Sequence, residues 1–155
     1  MAFQSIEVET LWRYIERAVE RLVALAESLD EETLNWRAPA PDTNSVAVLT
    51  HHTLENVEDN AIYRVGGAER DGDRDRAVEF TRREATGEAI RARWEATRER
   101  SRSLLEALDE AALARDYEHP TRGRETGFEV LVVLLGHAVE HLAHSELTRD
   151  LAAAR

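Results

Sequence analysis

The sequence predicts an all-α fold in the form of a four-helix bundle. Four blocks of the chain repeat apolar residues at the spacing of one helix face, and Pro and Gly residues separate these blocks. No useful length of the chain shows the apolar–polar alternation that is typical of half-buried strands. With 155 residues the chain is long enough for a sizeable hydrophobic core, so we expect a single domain over residues 1–155.

The first helix is predicted over residues 5–29. Its apolar residues recur three and four positions apart, and Glu and Arg fill the other face, which indicates an amphipathic helix with one buried side. Residues 30–44 include Pro39 and Pro41, so we predict that they form mostly loop with room for one short helical turn.

The second helix is predicted over residues 45–65, and the pair Gly66-Gly67 ends it. Three side chains before it have N-cap chemistry, namely Asp42, Thr43 and Asn44. Residues 68–85 are charged and contain few apolar side chains. We therefore predict that they form an exposed crossover connection between the second and third helices.

The third helix is predicted over residues 86–108 and the fourth over residues 126–151, with a loop-like segment between them. Thr126 and Glu129 have the spacing of a capping box, in which each residue's side chain bonds the other's backbone N–H. The predicted inward face of the fourth helix consists of Val130, Val133, Leu134, His137, His141, His144 and Leu151.

Composition narrows the function classes. The chain has no Cys, which excludes disulfides, Cys-ligated zinc and a thiolate nucleophile of its own. All 20 basic residues are Arg, so Schiff-base catalysis by a lysine is excluded too. A net charge of −11 disfavours nucleic acid and anionic membranes as partners. The N-terminus has no signal-peptide pattern and the longest apolar run, residues 130–135, is too short to span a bilayer, so we expect a cytoplasmic protein.

Five of the six histidines favour a metal site. His137, His141 and His144 are four and three residues apart, which stacks them on one face of the fourth helix. His51 and His52 belong to the second helix. Buried imidazoles need partners, and a divalent ion held by two histidines of one helix and one of another satisfies all three. Such a site keeps coordination positions open for water or substrate.

Other interpretations of the polar residues stay open at this point. The histidines could be core or surface residues with ordinary hydrogen bonds. His144 could contact the metal, support a ligand or transfer protons, and Glu140 is offset from the general-base position of zinc-protease helices. Glu55, Glu58 and Asp59 would suit a di-iron site, but no helical His has the Glu three residues before it that such sites use.

Two segments of the sequence resemble the DinB/YfiT-like superfamily of metal-dependent enzymes. These are LNWRAPAPDTNSVAVLTHH (residues 34–52) and HPTRGRET (residues 119–126), followed by the His-x-x-x-His of the last helix. The resemblance implies a bundle with an up-down-down-up order and a crossover between helices 2 and 3. It also implies a nickel, zinc or iron ion held by His52, His137 and His141, with His51 as the alternative to His52. A shifted alignment would use Ser145, which is a poor ligand.

The same resemblance implies a class of reaction. Members of known activity are thiol-dependent transferases and isomerases that use a low-molecular-weight thiol as cosubstrate, and the lack of Cys in this chain is consistent with a thiol supplied from outside. A metal- or small-ligand-binding stress protein without turnover is the alternative, and a purely structural bundle is a third. We expect a small-molecule substrate. A homodimer is a further expectation, in which the apolar first helix could pair with another copy, but the sequence defines no interface.

Overall fold

The computed structural model describes residues 2–70, 85–119 and 121–155 and confirms the predicted four-helix bundle. Most of the predicted crossover, residues 71–84, lies outside the described residues. The elements are α1 (Ile6–Glu27), α2 (Glu31–Asn35), α3 (Val46–Val57), a π-helical segment (Glu58–Val65), α4 (Gly87–Leu105), α5 (Glu110–Ala114), β1 (Asp116–His119), β2 (Gly123–Thr126) and α6 (Gly127–Ala153).

Contacts with α1 give the directions of two helices. Tyr14 lines the same groove as Leu135 of α6, and further along both helices Arg21 donates to Glu146 at 3.1 Å, so α1 and α6 run parallel. The N–H of Gln4, before α1, donates to the carbonyl of Glu106, after α4. The start of α1 therefore meets the end of α4, and these helices run antiparallel.

Contacts with α3 complete the order. Arg93 of α4 contacts Glu55, and further along Arg100 donates to Tyr63 at 3.4 Å, so α3 and α4 run in the same direction. His52 of α3 lies beside His137 of α6, so these two helices cross. Because α3 runs parallel to α4, α4 runs antiparallel to α1 and α1 runs parallel to α6, α3 and α6 are antiparallel. The bundle has the up-down-down-up order, which requires a long connection between α3 and α4.

All four long helices begin at a Ser or Thr N-cap. The side-chain oxygens of Ser5, Ser45, Thr86 and Thr126 each accept a hydrogen bond from the N–H three residues later, which satisfies a donor that has no partner inside the helix. The predicted capping box of α6 is confirmed, with Glu129 reaching back to Thr126. The predicted caps before α3 were wrong, because Ser45 itself caps that helix.

The last eight residues of the predicted second helix are π-helical rather than α-helical. The N–H of Gly66 donates to the carbonyl of Ala61, five residues back. The wider turn rotates the following side chains relative to an α-helix, and π-turns of this kind are frequent at functional sites. Apolar spacing does not distinguish the two helix types, so the sequence did not reveal this change.

The segment before α6 contains the short helix α5 and an antiparallel hairpin, where the sequence predicted loop and no strands. Asp116 pairs with Thr126 and His119 with Gly123, which has the positive φ of 80° that the turn requires. The strands are four residues each and carry mostly polar side chains, so they lack the apolar alternation by which strands are recognised.

The core lies between α1, α3, α4 and α6, with a pair of tryptophans at its centre. The rings of Trp12 and Trp94 are 6.4 Å apart, and the indole N–H of Trp94 donates to Glu20 at 2.7 Å. The predicted inward face of α6 was partly wrong, because Val133, His144 and Leu151 are exposed. The buried residues of α6 form one stripe at helical spacing, and each of these three exposed residues lies one position before a residue of that stripe, namely Leu134, Ser145 or Ala152.

Among the described residues, α6 is the one helix that is long and apolar enough to cross a membrane by length and composition. The whole of α6 meets this criterion, although its longest uninterrupted apolar run, residues 130–135, is too short to span a bilayer on its own. It also packs between α1 and α3, and a core helix of a bundle meets the same criteria.

The Ser45→Ala variant should lower the free energy of unfolding by about 1 kcal/mol, because the buried Ser45 hydroxyl accepts from the N–H of Val48 at 3.2 Å and has no equivalent in Ala. Urea unfolding followed by circular dichroism measures this. Ser103→Ala, on the exposed side of α4, is the control and should change stability little. Equal effects of the two substitutions would contradict the role of Ser45 as a cap.

Candidate metal centre

Three histidines meet where α3 crosses α6. His52 is on the second turn of α3 and is 3% exposed. His137 and His141 occupy successive turns of α6 and are partly buried. One nitrogen from each residue lies within 4.8 Å of the others, so the group could hold a metal ion.

The Nε2 atoms converge closely. Nε2 of His137 is 3.0 Å from Nε2 of His52 and 3.0 Å from Nε2 of His141. The rings of His137 and His141 are nearly perpendicular, at 86°, with centroids 4.2 Å apart. The three rings therefore point their Nε2 atoms toward a common position from different directions.

Hydrogen bonds alone satisfy this arrangement poorly. An imidazole nitrogen carries either one proton or one lone pair, and Nε2 of His137 has two imidazole nitrogens at 3.0 Å. If Nε2 of His137 is protonated, its N–H can donate to one of these two nitrogens, and the contact with the other is not a hydrogen bond. A cation placed between the rings accepts all three lone pairs at once.

The spacing of the nitrogens also suits a metal ion. With metal–nitrogen bonds of about 2.1 Å, two ligand nitrogens at an angle of about 90–110° are about 3.0–3.4 Å apart. The two measured separations of 3.0 Å fall at the lower end of this range. The donor set is therefore that of a borderline divalent ion such as zinc, nickel or iron(II).

Asn56 is a fourth residue at this position that the sequence interpretation did not include. Its Nδ2 lies 3.2 Å from Nε2 of His52 and 3.3 Å from Nε2 of His137, and it donates to the His52 carbonyl at 3.0 Å. The signal available in the sequence was its position four residues after His52, one turn along α3. The amide places a hydrogen-bond donor beside the point where the three histidines converge.

A line of polar side chains continues from Asn56 along the π-helical segment. Asn60 donates to the Asn56 carbonyl at 2.8 Å, and Arg64 donates to the side-chain oxygen of Asn60 at 3.0 Å. Arg64 also lies 3.6 Å from Asp59 and 3.7 Å from Glu125 of β2. These contacts connect the histidine cluster with the hairpin and hold the polar side chains in place.

The other predicted site residues lie apart from this convergence. Nδ1 of His51 is 3.3 Å from Arg93 of α4, on a different side of α3 from His52. His144 is exposed, with its ring centroid 5.9 Å from that of His141, and Glu140 is exposed as well. The structure thus brings together His52, His137 and His141, and it places His51, His144 and Glu140 outside the group.

His119, which the sequence analysis placed in the connection before α6, is partly buried at the end of β1. Its Nδ1 accepts from the N–H groups of Thr121 and Arg122, each at 3.1 Å. Burial and the Arg122 guanidinium lower the pKa of His119 below its usual value. Its contacts are those of a residue that shapes the hairpin turn.

The carboxylates that would suit a di-iron site are engaged with arginines. Arg93 donates to Glu55 at 2.6 Å and to Glu58 at 3.0 and 3.1 Å, and Thr97 donates to Glu58 at 2.8 Å. Burial disfavours the charge on Arg93, but the two carboxylates outweigh it and raise the pKa of Arg93. This network joins α3 and its π-helical extension to α4.

Comparison with known proteins agrees with this geometry. Residues 14–145 match the family model described as the DinB superfamily. The chain belongs to the DinB superfamily. The crystal structure of a conserved protein from Enterococcus faecalis superposes with a TM-score of 0.73 over 95% of this chain and 97% of the other, at 18% identity, which shows a shared fold. No curated protein matches the chain.

Replacing Arg93 with Met should lower the free energy of unfolding by about 2 kcal/mol, because two largely buried carboxylates then lose their cation. Arg124→Met is the control, since its partners Glu118 and Asp116 are 74% and 52% exposed and each pair should contribute less than about 0.5 kcal/mol. Urea unfolding of both variants provides the comparison. A loss of similar size in the two would show that the Arg93 network does not stabilise the bundle.

Proposed function

We propose that this DinB-superfamily protein is a metal-dependent enzyme in which His52, His137 and His141 hold a divalent ion, either nickel, zinc or iron. The observation that carries the proposal is the convergence of three Nε2 atoms from two helices, with two of the separations at 3.0 Å. Three protein ligands leave positions open for water or substrate, as in catalytic rather than structural sites.

The bound ion would act as a Lewis acid and would stabilise a thiolate at neutral pH. The chain contributes no thiol of its own, because it has no Cys. We therefore propose a low-molecular-weight thiol as cosubstrate and thiol-dependent transfer or isomerisation of a small electrophile as the reaction. A cytoplasmic location, where such thiols are abundant, belongs to the same proposal.

The residues around the histidines support binding and orientation. The Asn56 amide can donate to an anionic group placed at the convergence of the histidines, because its Nδ2 already lies 3.2–3.3 Å from two of their nitrogens. The side chain of Asn56 is held by its bond to the His52 carbonyl. The buried residues of α3 exclude water from the side of His52, which strengthens electrostatic contacts there.

Metal content tests the first half of the proposal. Protein purified without a His tag should contain about one equivalent of nickel, zinc or iron by elemental analysis, as a single three-ligand site requires. His52→Ala, His137→Ala and His141→Ala should each lose most of the metal, because two imidazoles bind a divalent ion far more weakly than three.

The control variant is His119→Ala, which removes an imidazole from the hairpin and should keep the full metal content. Circular dichroism of each variant separates loss of metal from loss of fold. Full metal retention in the double variant His137→Ala, His141→Ala would contradict the site. Protein that neither contains metal nor takes up added zinc or nickel would contradict it as well.

A screen of thiols with electrophilic acceptors tests the second half. The metal-loaded protein should accelerate formation of the thioether product, and the double variant His137→Ala, His141→Ala should be inactive. A metal-loaded protein that is inactive with every thiol would instead support the metal- or ligand-binding protein without turnover.

A further inference from the structure

The exposed apolar surface of this protein is concentrated on two adjacent helices. All the large apolar side chains with strong exposure in the described residues belong to α1 or α6. They are Ile6, Tyr14, Phe128, Val132, Val133, Val139, Leu147 and Leu151. The outer faces of α3 and α4 carry none, so the distribution is not the scattered one that a monomer shows.

The solvent-facing side of α6 is a continuous apolar stripe. Its residues recur three and four positions apart and are all exposed: Phe128, Val132, Gly136, Val139, Ala143 and Leu147. The opposite side of α6 is in the core, so this helix carries apolar residues on both its inner and its solvent-facing side. A helix of that kind is usually covered on every side.

The middle of the stripe suits close helix packing. Gly136 and Ala143 flank Val139, and a Cβ added at Gly136 would meet nothing within 4 Å. Small residues at a crossing point allow two helix backbones to approach. A groove of about 180 Å³ beside Val139, lined by Tyr14 and Arg17 of α1, can receive an apolar side chain from outside.

Tyr14 and the stripe on α6 form one apolar patch, and its area is sufficient for a stable contact. Tyr14 and the four large stripe residues are each 43–57% exposed. With the neighbouring exposed residues they present on the order of 600 Å² of apolar surface, against about 800 Å² per partner in a standard interface. The polar residues at the edges of the patch can supply the remaining area of the interface.

The two edges of the patch carry opposite charges. Arg13, Arg17 and Arg21 form an exposed basic row on α1, along one edge. Glu140 projects from α6 along the other edge. Arg17 lies at the height of Glu140, because it lines one groove with Val139 and Leu142. A two-fold rotation about an axis parallel to α6 sets the basic edge of one copy against the acidic edge of the other.

We propose that this face joins two copies of the chain, with α6 packed against α6 of the second copy around Val139. Arg17 of each copy pairs with Glu140 of the other. The contact is isologous, so each pair occurs twice. The sequence allowed a homodimer without defining its interface, and the exposed apolar surface places the central contact on α6.

A membrane surface is the competing occupant, since α6 is long and apolar enough in composition. The charge of the chain argues against it. The net charge is −11, and Glu140 borders the stripe directly. Anionic lipid surfaces repel such a protein. A second copy uses both edges of the patch, whereas a lipid surface would use only the basic one.

Sedimentation and light scattering of the untagged full chain test the proposal. The wild type should have twice the chain mass of 17.6 kDa at concentrations of about 10–100 µM. Val139→Arg should raise the dissociation constant at least about 100-fold, because it buries charge at the centre of the contact. Ala92→Arg, on the exposed side of α4, is the matched control and should leave the dimer intact.

Charge reversal tests the pairing itself. Arg17→Glu and Glu140→Arg should each weaken association about 10-fold or more, and the double reversal should restore it to within about threefold of the wild type. Glu95→Arg on α4 is the control for a change of net charge. Circular dichroism and melting temperature confirm that each variant is folded.

A monomeric wild type at these concentrations would overturn the proposal, and so would a dimer that Val139→Arg leaves unchanged. Monomers that bind phosphatidylcholine or phosphatidylglycerol vesicles would show that the stripe contacts lipid. A double reversal weaker than both single variants would overturn the Arg17–Glu140 pairing. None of these results depends on metal content, so the test is independent of the proposed enzymatic function.

Discussion

The antiparallel packing of α3 against α6 is the constraint on which the rest of the structure depends. It brings His52 next to His137, a residue 85 positions later in the chain, in a place where His52 is almost fully buried. Burial of an imidazole is costly unless its nitrogens have partners. Two conditions therefore have to be met: α3 and α6 must be held together, and the imidazole nitrogens must be paired where they meet.

The first requirement is met by apolar packing and by caps. Ser45 fixes the start of α3, and Thr126 with Glu129 fixes the start of α6, so the two crossing helices begin at defined residues. The rotation of each helix about its axis, which follows from burial of its apolar face, decides whether a side chain faces its neighbour or solvent. His52 and His51 differ by one position and therefore lie on different sides of α3.

The arginine–carboxylate contacts lie on a different side of α3 from the histidine cluster. Arg93 contacts Glu55, Glu58 and His51 on one side of α3 and its π-helical extension. The other side of α3 carries His52 and Asn56 and packs against α6. Both networks continue past the change from α-helix to π-helix after Val57, with Glu58 in one and Asn60 and Arg64 in the other. The histidine cluster and the arginine–carboxylate network therefore lie on different sides of α3.

The sequence alone determined the number and order of the long helices, the capping box and the two helices that carry the candidate histidines, because local spacing and capping chemistry act over a few residues. Tertiary structure decided what depends on distant partners. The choice of His52 over His51 came from the rotation of α3 against α6, and Asn56 entered the site because its amide reaches nitrogens on both helices. The exposure of Val133, His144 and Leu151 came from the rotation of α6 in the bundle, which buries Leu134, Ser145 and Ala152, the residues that directly follow them. The hairpin before α6 is set by backbone pairing, which leaves little trace in side-chain order when the strands are short and exposed.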